Sequence, residues 1–215
     1  MRVANTIKDK LARIERAEGE LLKFFAGKIK AGVDIYIADF ILIASLKRTL
    51  ALSAGFRSLI EVRNFTSAAA LLRLQLDTAL RLHAATLYSH PEEYAKAVFD
   101  GKPVDKLKSR DGNRLTDSYL AKTLSEKHPW VEQVYKDLCD FVHFSNRHFF
   151  TSIGKVDERE HTVHMLISAQ DPPKPDEAYF EVLDTYYDVM KLTGTLAGGW
   201  LLAKENNYGM MPSSG

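Results

Sequence analysis

A single cysteine, Cys139, in 215 residues rules out an intramolecular disulfide and every zinc pattern built on paired cysteines. An excess of one charge is also missing. Lys plus Arg number 29 and Asp plus Glu 28, a net +1, so no overall field draws the chain toward nucleic acid or acidic membranes, and any such partner has to be met by a local patch. Long apolar runs are absent as well: the one from Ile35 to Leu46 stops at Lys47-Arg48, and the one from Leu192 to Ala203 is shorter than the ~20 residues a spanning helix needs. The first ten residues lack the apolar core of a secretory signal, and the expected location is cytoplasmic, with no membrane partner. No nucleophile elbow, phosphate-cradling glycine loop, dinucleotide fingerprint or solenoid repeat occurs, which weakens the common enzyme classes and gives no reason to expect a cofactor.

What is present reads as one mainly α domain. A composition 46% hydrophobic and 27% charged is ordinary globular usage, and the length suits one core. Ile7, Leu11, Ile14, Leu21, Phe25 and Ile29 step by threes and fours, with Glu18 in the remaining slot, which predicts an amphipathic helix over residues 5–30. Gly32 breaks the chain, Asp34 caps the next start, and a broadly apolar, deeply buried helix is expected through Phe40, Ile43 and Leu50 to Ile60. Asn64 or Thr66 caps a third, leucine-rich helix ending near Tyr88. His90-Pro91-Glu92-Glu93 opens a short helix that Gly101 stops, and Thr116 caps another, with Leu115 and Leu120 as a hydrophobic staple. His128-Pro129 opens a helix through Val131, Tyr135, Leu138 and Val142. From Phe149 the period changes to two. Phe149, Thr151 and Ile153 are expected to pair with Val163, Met165 and Ile167 across an Asp157-Glu158-Arg159 turn, a β-hairpin over 149–168. After a proline-rich linker, a final helix begins at Pro175. Gly194, Gly198 and Gly199 either admit a close neighbour or end it early. The whole is a bundle of six or seven helices over residues 1–205 with a loose tail, 206–215.

Two similar pentads carry the candidate chemistry: Arg57-Ser58-Leu59-Ile60-Glu61 on the second helix and Arg73-Leu74-Gln75-Leu76-Asp77 on the third, with Arg81 one turn on. Each puts a guanidinium and a carboxylate at i,i+4 on one helix face. Such ladders form a buried network, a set of solvated surface pairs, or the lining of a polar ligand pocket. His143 lies four and eight residues after Cys139 and Tyr135 and so continues an apolar stripe. It is expected as a satisfied core residue, with an acid, base or anion-donor role as the rival. Cys139, mid-helix among apolar neighbours, has the setting of an inert thiol. No metal site is expected: His143 and His148 diverge by about 140° on a helix, and His161 and His164 face opposite sides of a strand. The excess of Lys and Arg over 102–114 has no interleaved aromatics and reads as a solvated loop more than an RNA contact.

The segment 57–61, followed by Tyr135-Lys-Asp-Leu-Cys-Asp-Phe-Val-His143-Phe-Ser145, resembles a family of uncharacterised bacterial helical proteins with an Arg-x-x-x-Glu helix and a Tyr-x-x-Leu-Ser-x-x-Val-His-x-Ser signature. Cys139 stands where that signature has serine. The family's helical plan is similar to HEPN-like domains of prokaryotic defence systems, and Arg159 and His164 match the arginine, four residues, histidine spacing of HEPN ribonucleases, though on an alternating, strand-like stretch. The first functional expectation is a non-catalytic helical domain binding a polar or anionic ligand or a partner protein through a polar core of Arg57, Glu61, Arg73, Asp77, Arg81 and His143. The alternative is a HEPN-like RNA- or nucleotide-binding nuclease with His143 as acid/base and Arg73 and Arg81 on phosphate. A third expectation is a homodimer through the heptad-like stripe of the first helix.

Overall fold

The computed structural model describes residues 6–28, 36–143 and 145–208. Four long helices, α1 (Ile7–Lys28), α2 (Ile37–Glu61), α3 (Phe65–Leu87) and α8 (Phe180–Tyr208), are joined by the shorter α4 (Pro91–Phe99), α5 (Asp117–Ser125), α6 (Val131–Val142) and α7 (Asn146–Thr151). Two antiparallel strands, β1 (Ile153–Asp157) and β2 (Thr162–Met165), complete a mainly α bundle with one hairpin. The described residues hold eight helices where six or seven are expected, the addition being α7.

The hub is α3, which packs against α2, α8, α6 and α5. Alanines and leucines on several of its sides make this arrangement available: Ala68, Ala69, Leu72, Leu76, Ala79 and Leu80 are all buried. Asn64 caps it, its side-chain oxygen accepting the Ser67 N–H at 3.1 Å. Above α3, Phe56 of α2 stacks on Tyr186 of α8 with ring centres 3.9 Å apart. The expected starts of α4 after His90 and of α5 after Thr116 are observed, with Leu115 and Leu120 both fully buried as the staple.

On α1, Ile7, Leu11, Ile14, Ala17 and Phe25 are buried, and the helix packs on α8 and α2. The stripe expected to bind a second copy is therefore used within the chain. Gly194 permits that contact, because a Cβ there would lie 2.6 Å from Leu21 Cδ2. The helix does not end at its glycines and runs on to Tyr208, three residues into the stretch expected to be a tail.

Two expectations fail for physical reasons. The expected break at Gly32 and cap at Asp34 lie outside the described residues, and the buried side of α2, which holds Ala38, Leu42, Phe56 and Ile60, is only in part the apolar one anticipated. Ile37, Phe40 and Ile43 are 39%, 55% and 37% exposed, while Ser45, Thr49 and Ser53, four residues apart, face inward. Polar partners on neighbouring helices decide this. Gln75 Nε2 donates to Thr49 and Thr193 at 3.1 and 3.0 Å, and Ser53 donates to Glu18 at 2.5 Å. Second, residues 149–151 form the end of α7 and not a strand. Thr151 and Ser152 hydroxyls donate to the carbonyls of His148 and Phe149, satisfying the helix end locally. The strand therefore starts at Ile153, and the turn is fixed one residue later than expected by Asp157, whose side chain accepts the N–H groups of Arg159 and Glu160.

These burial patterns predict opposite outcomes for two phenylalanines of one helix. Phe56→Ala should cost about 3–5 kcal/mol in urea unfolding, and Phe40→Ala no more than about 0.5–1 kcal/mol.

Candidate functional site

Arg73, Asp77 and Arg81 of α3 do not close into the expected Arg73–Asp77 ladder. They form a chain of alternating charge that crosses three helices. Arg48 of α2 reaches Asp77 at 3.3 Å, and Asp77 holds Arg81 at 2.7 Å across one helical turn. Arg81 also holds Asp117 at 2.7 Å, and Asp117 pairs with Arg73 at 2.8 Å. The order is Arg48, Asp77, Arg81, Asp117, Arg73. Its two ends differ most in exposure, 47% of the Arg48 side chain against 11% of that of Arg73. The inner end is roofed by the Tyr135 ring, 4.7 Å from the Arg73 guanidinium, as a cation-π contact.

Asp117 is there because Thr116 starts α5. Thr116 Oγ1 accepts the Tyr119 N–H at 3.3 Å, and the next residue opens the first turn, where a carboxylate is favoured by the helix dipole. Burial pushes the Asp117 carboxyl up, but Arg81 and Arg73 outweigh it and hold it below the usual carboxylate range. Burial likewise opposes the charge on Arg73, and Asp117 more than offsets it. Sequence reasoning missed Asp117 and Arg48. Thr116 was the one available signal for the former, since a capping residue implies a charged first turn, but nothing local says which cations that turn meets.

The other pentad does not join this chain. Arg48 and Arg57 are nine residues apart, about 180° around α2, so they face opposite seams. Arg57 turns to α1, donating to both Glu18 oxygens at 3.0 and 3.3 Å and approaching Glu15 at 3.6 Å, whereas Glu61 is exposed. Glu18, the polar slot in the α1 stripe, is thus the partner Arg57 takes in place of Glu61. His143 is not a core residue. Its side chain is exposed at the C-terminal end of α6, about 12 Å along the helix from Tyr135. The α6 stripe ends before it because the chain leaves the helix there. Cys139 is half-buried beside Arg73 and Tyr135. Arg159 stands in the hairpin turn and His164 on β2, both exposed. Among the described residues, no three His, Cys, Asp or Glu side chains assemble into a group that could hold a metal ion. Nor is any described helix long and apolar enough to cross a membrane.

One further histidine is tied to α5. His83 Nε2 lies 3.0 Å from Thr123 Oγ1, and its Nδ1 lies 3.3 Å from Thr86 Oγ1. Burial, then the charges of Lys127 and His128, lower its pKa to about 4. With this geometry in place, comparison with known proteins gives no homologous frame: no protein-family model matches the chain, and no curated protein or solved structure matches it.

Two outcomes follow from these groups. Asp117→Ala should cost about 2–3 kcal/mol, between exposed and buried ion pairs, and should flatten the loss of stability on acidification. The depressed Asp117 carboxyl contributes stability above the usual carboxylate range and loses it as pH falls through its own lower value. His83 stays neutral in the fold, so its contribution is complete above pH 6.5 and disappears as pH drops toward about 4. Denaturation midpoints across that interval should fall less steeply in His83→Gln than in the natural chain, and an imidazole titrating near 6.5 by NMR would contradict the assignment.

Proposed function

We propose that this protein is a non-catalytic helical domain that binds an anionic group, a phosphate or carboxylate, at the solvent end of the Arg48–Asp77–Arg81–Asp117–Arg73 chain. One observation carries this reading: three guanidiniums share two carboxylates, and the uncompensated cation is at the outer end. Arg48 is nearly half exposed and meets Asp77 at 3.3 Å, longer than the 2.7 Å pairs further in, so it keeps donors free to face water. The inner groups pair with one another, while Nη1 of Arg81 is buried without a hydrogen-bond partner. A planar guanidinium offers paired donors that match an oxyanion, and a partly desolvated site strengthens each bond. The alternating chain supplies no group poised to move a proton: Arg73 and Arg81 are held by Asp117, and the His143 imidazole is at the far end of α6.

Titration with inorganic phosphate, followed by the side-chain Nε resonances of the arginines, tests this reading. Saturable shifts at Arg48 and Arg81 that vanish in Arg48→Gln are expected. Shifts that persist in that variant, or none at all, would overturn it. The variant separates site binding from the general stabilisation that phosphate gives any folded protein.

A further inference from the structure

The β-hairpin points to a second function, independent of the anion site. β1 and β2 pair with Val156 opposite Val163 and Ile153 opposite Met165, with an irregularity in register between Ile153 and Lys155. Opposed residues of antiparallel strands share a face, as do alternate residues along a strand, so Ile153, Val156, Val163 and Met165 form one apolar face. Lys155, Asp157, Thr162 and His164 form the other. The bulge at Gly154 creates this separation: Ile153 and Val156 are three apart, and in a regular strand they would point to opposite sides.

The apolar face is uncovered. Val156, Val163 and Met165 are 56%, 55% and 58% exposed, and Ile167, next in the alternation, is 95% exposed. Phe150, on the helix leading into β1, is 69% exposed. Val156, Val163, Met165 and Ile167 present a patch on the order of several hundred Å², the size of the largest patches on monomeric proteins, which are often functional. A lone two-stranded ribbon is only marginally stable in water and needs a further layer on its apolar side.

We infer that this layer is the same hairpin of a second copy of the chain, the two apolar faces packed across a two-fold axis. Charge placement is compatible with a second copy and disfavours a charged partner. The charged residues of the strands, Lys155 and Asp157, lie on the opposite face and pair with each other at 3.5 Å. No like charges therefore meet across the axis, and an acidic or basic partner finds nothing on the apolar face to pair with. Area agrees: two such patches approach the ~1,200 Å² of total buried surface at which specific interfaces begin. A two-fold contact also needs the patch to be complementary to itself, which a neutral stripe of Val, Met and Ile satisfies.

Sedimentation equilibrium from low micromolar to the highest soluble concentration tests the inference. The natural chain should dimerise. Val163→Glu with Met165→Glu should raise the dimer dissociation constant about thirtyfold or more, and Thr162→Glu, on the polar face, should leave it unchanged. All three positions are exposed, so circular dichroism should show the same helical content in each variant. A monomeric natural chain, a dimer that survives the double substitution, or equal dissociation by Thr162→Glu would each overturn the proposal.

Discussion

A guanidinium as withdrawn from water as that of Arg73 must be met by a carboxylate, or the helix that carries it cannot pack. Asp117 meets it, and Asp117 is available only because Thr116 starts a helix at that point and α5 lies against α3. The same carboxylate takes Arg81, Arg81 takes Asp77, and Asp77 takes Arg48, so one buried charge sets the relative placement of α2, α3 and α5. Hydrophobic burial holds the helices together, but burial alone is indifferent to how far one helix slides along another. The ion pairs are not.

A second polar seam does the same on the other side of the bundle. Glu18 joins Ser53 and Arg57 at a part-buried contact, and Gln75 joins Thr49 and Thr193 at a buried one, tying α1, α2, α3 and α8. The buried side of α2 is therefore mixed: Thr49 and Ser53 turn inward to partners beside Leu42, Phe56 and Ile60, while Phe40 and Ile43 turn outward. The stacked pair Phe56 and Tyr186 lies beside the Glu18–Ser53–Arg57 seam. The bundle is thus specified by polar matching as much as by volume. Arg48 is the most exposed guanidinium of the charge chain, and the proposed anion site lies at its end.

The hairpin follows a different logic. Its polar face carries the Lys155–Asp157 pair and its apolar face is exposed, while the helical bundle packs around its own core. The two proposed surfaces, one charged at the α2–α3 seam and one apolar on the strands, draw on separate residues and separate physics.

Local sequence chemistry determined the helices and many of their limits. Caps at Asn64 and Thr116, the proline at Pro91 and the leucine spacing of α3 act within a few residues, so each element is encoded where it occurs. The hairpin was legible in the alternation of β2, but not its start, because hydroxyls at 151 and 152 favour one more turn of helix over one more pair of strand residues. The candidate site was half legible. Arg73, Asp77 and Arg81 stood out by spacing, and their actual partners Asp117 and Arg48 did not, since an i,i+4 carboxylate is only one competitor for a guanidinium that also faces other helices. Arg57 chose Glu18 over Glu61 for the same reason, and His143 left the core because α6 ends beneath it. Spacing fixes which side chains share a face of one helix. Which charges meet across two helices depends on packing, and only the tertiary structure decides that.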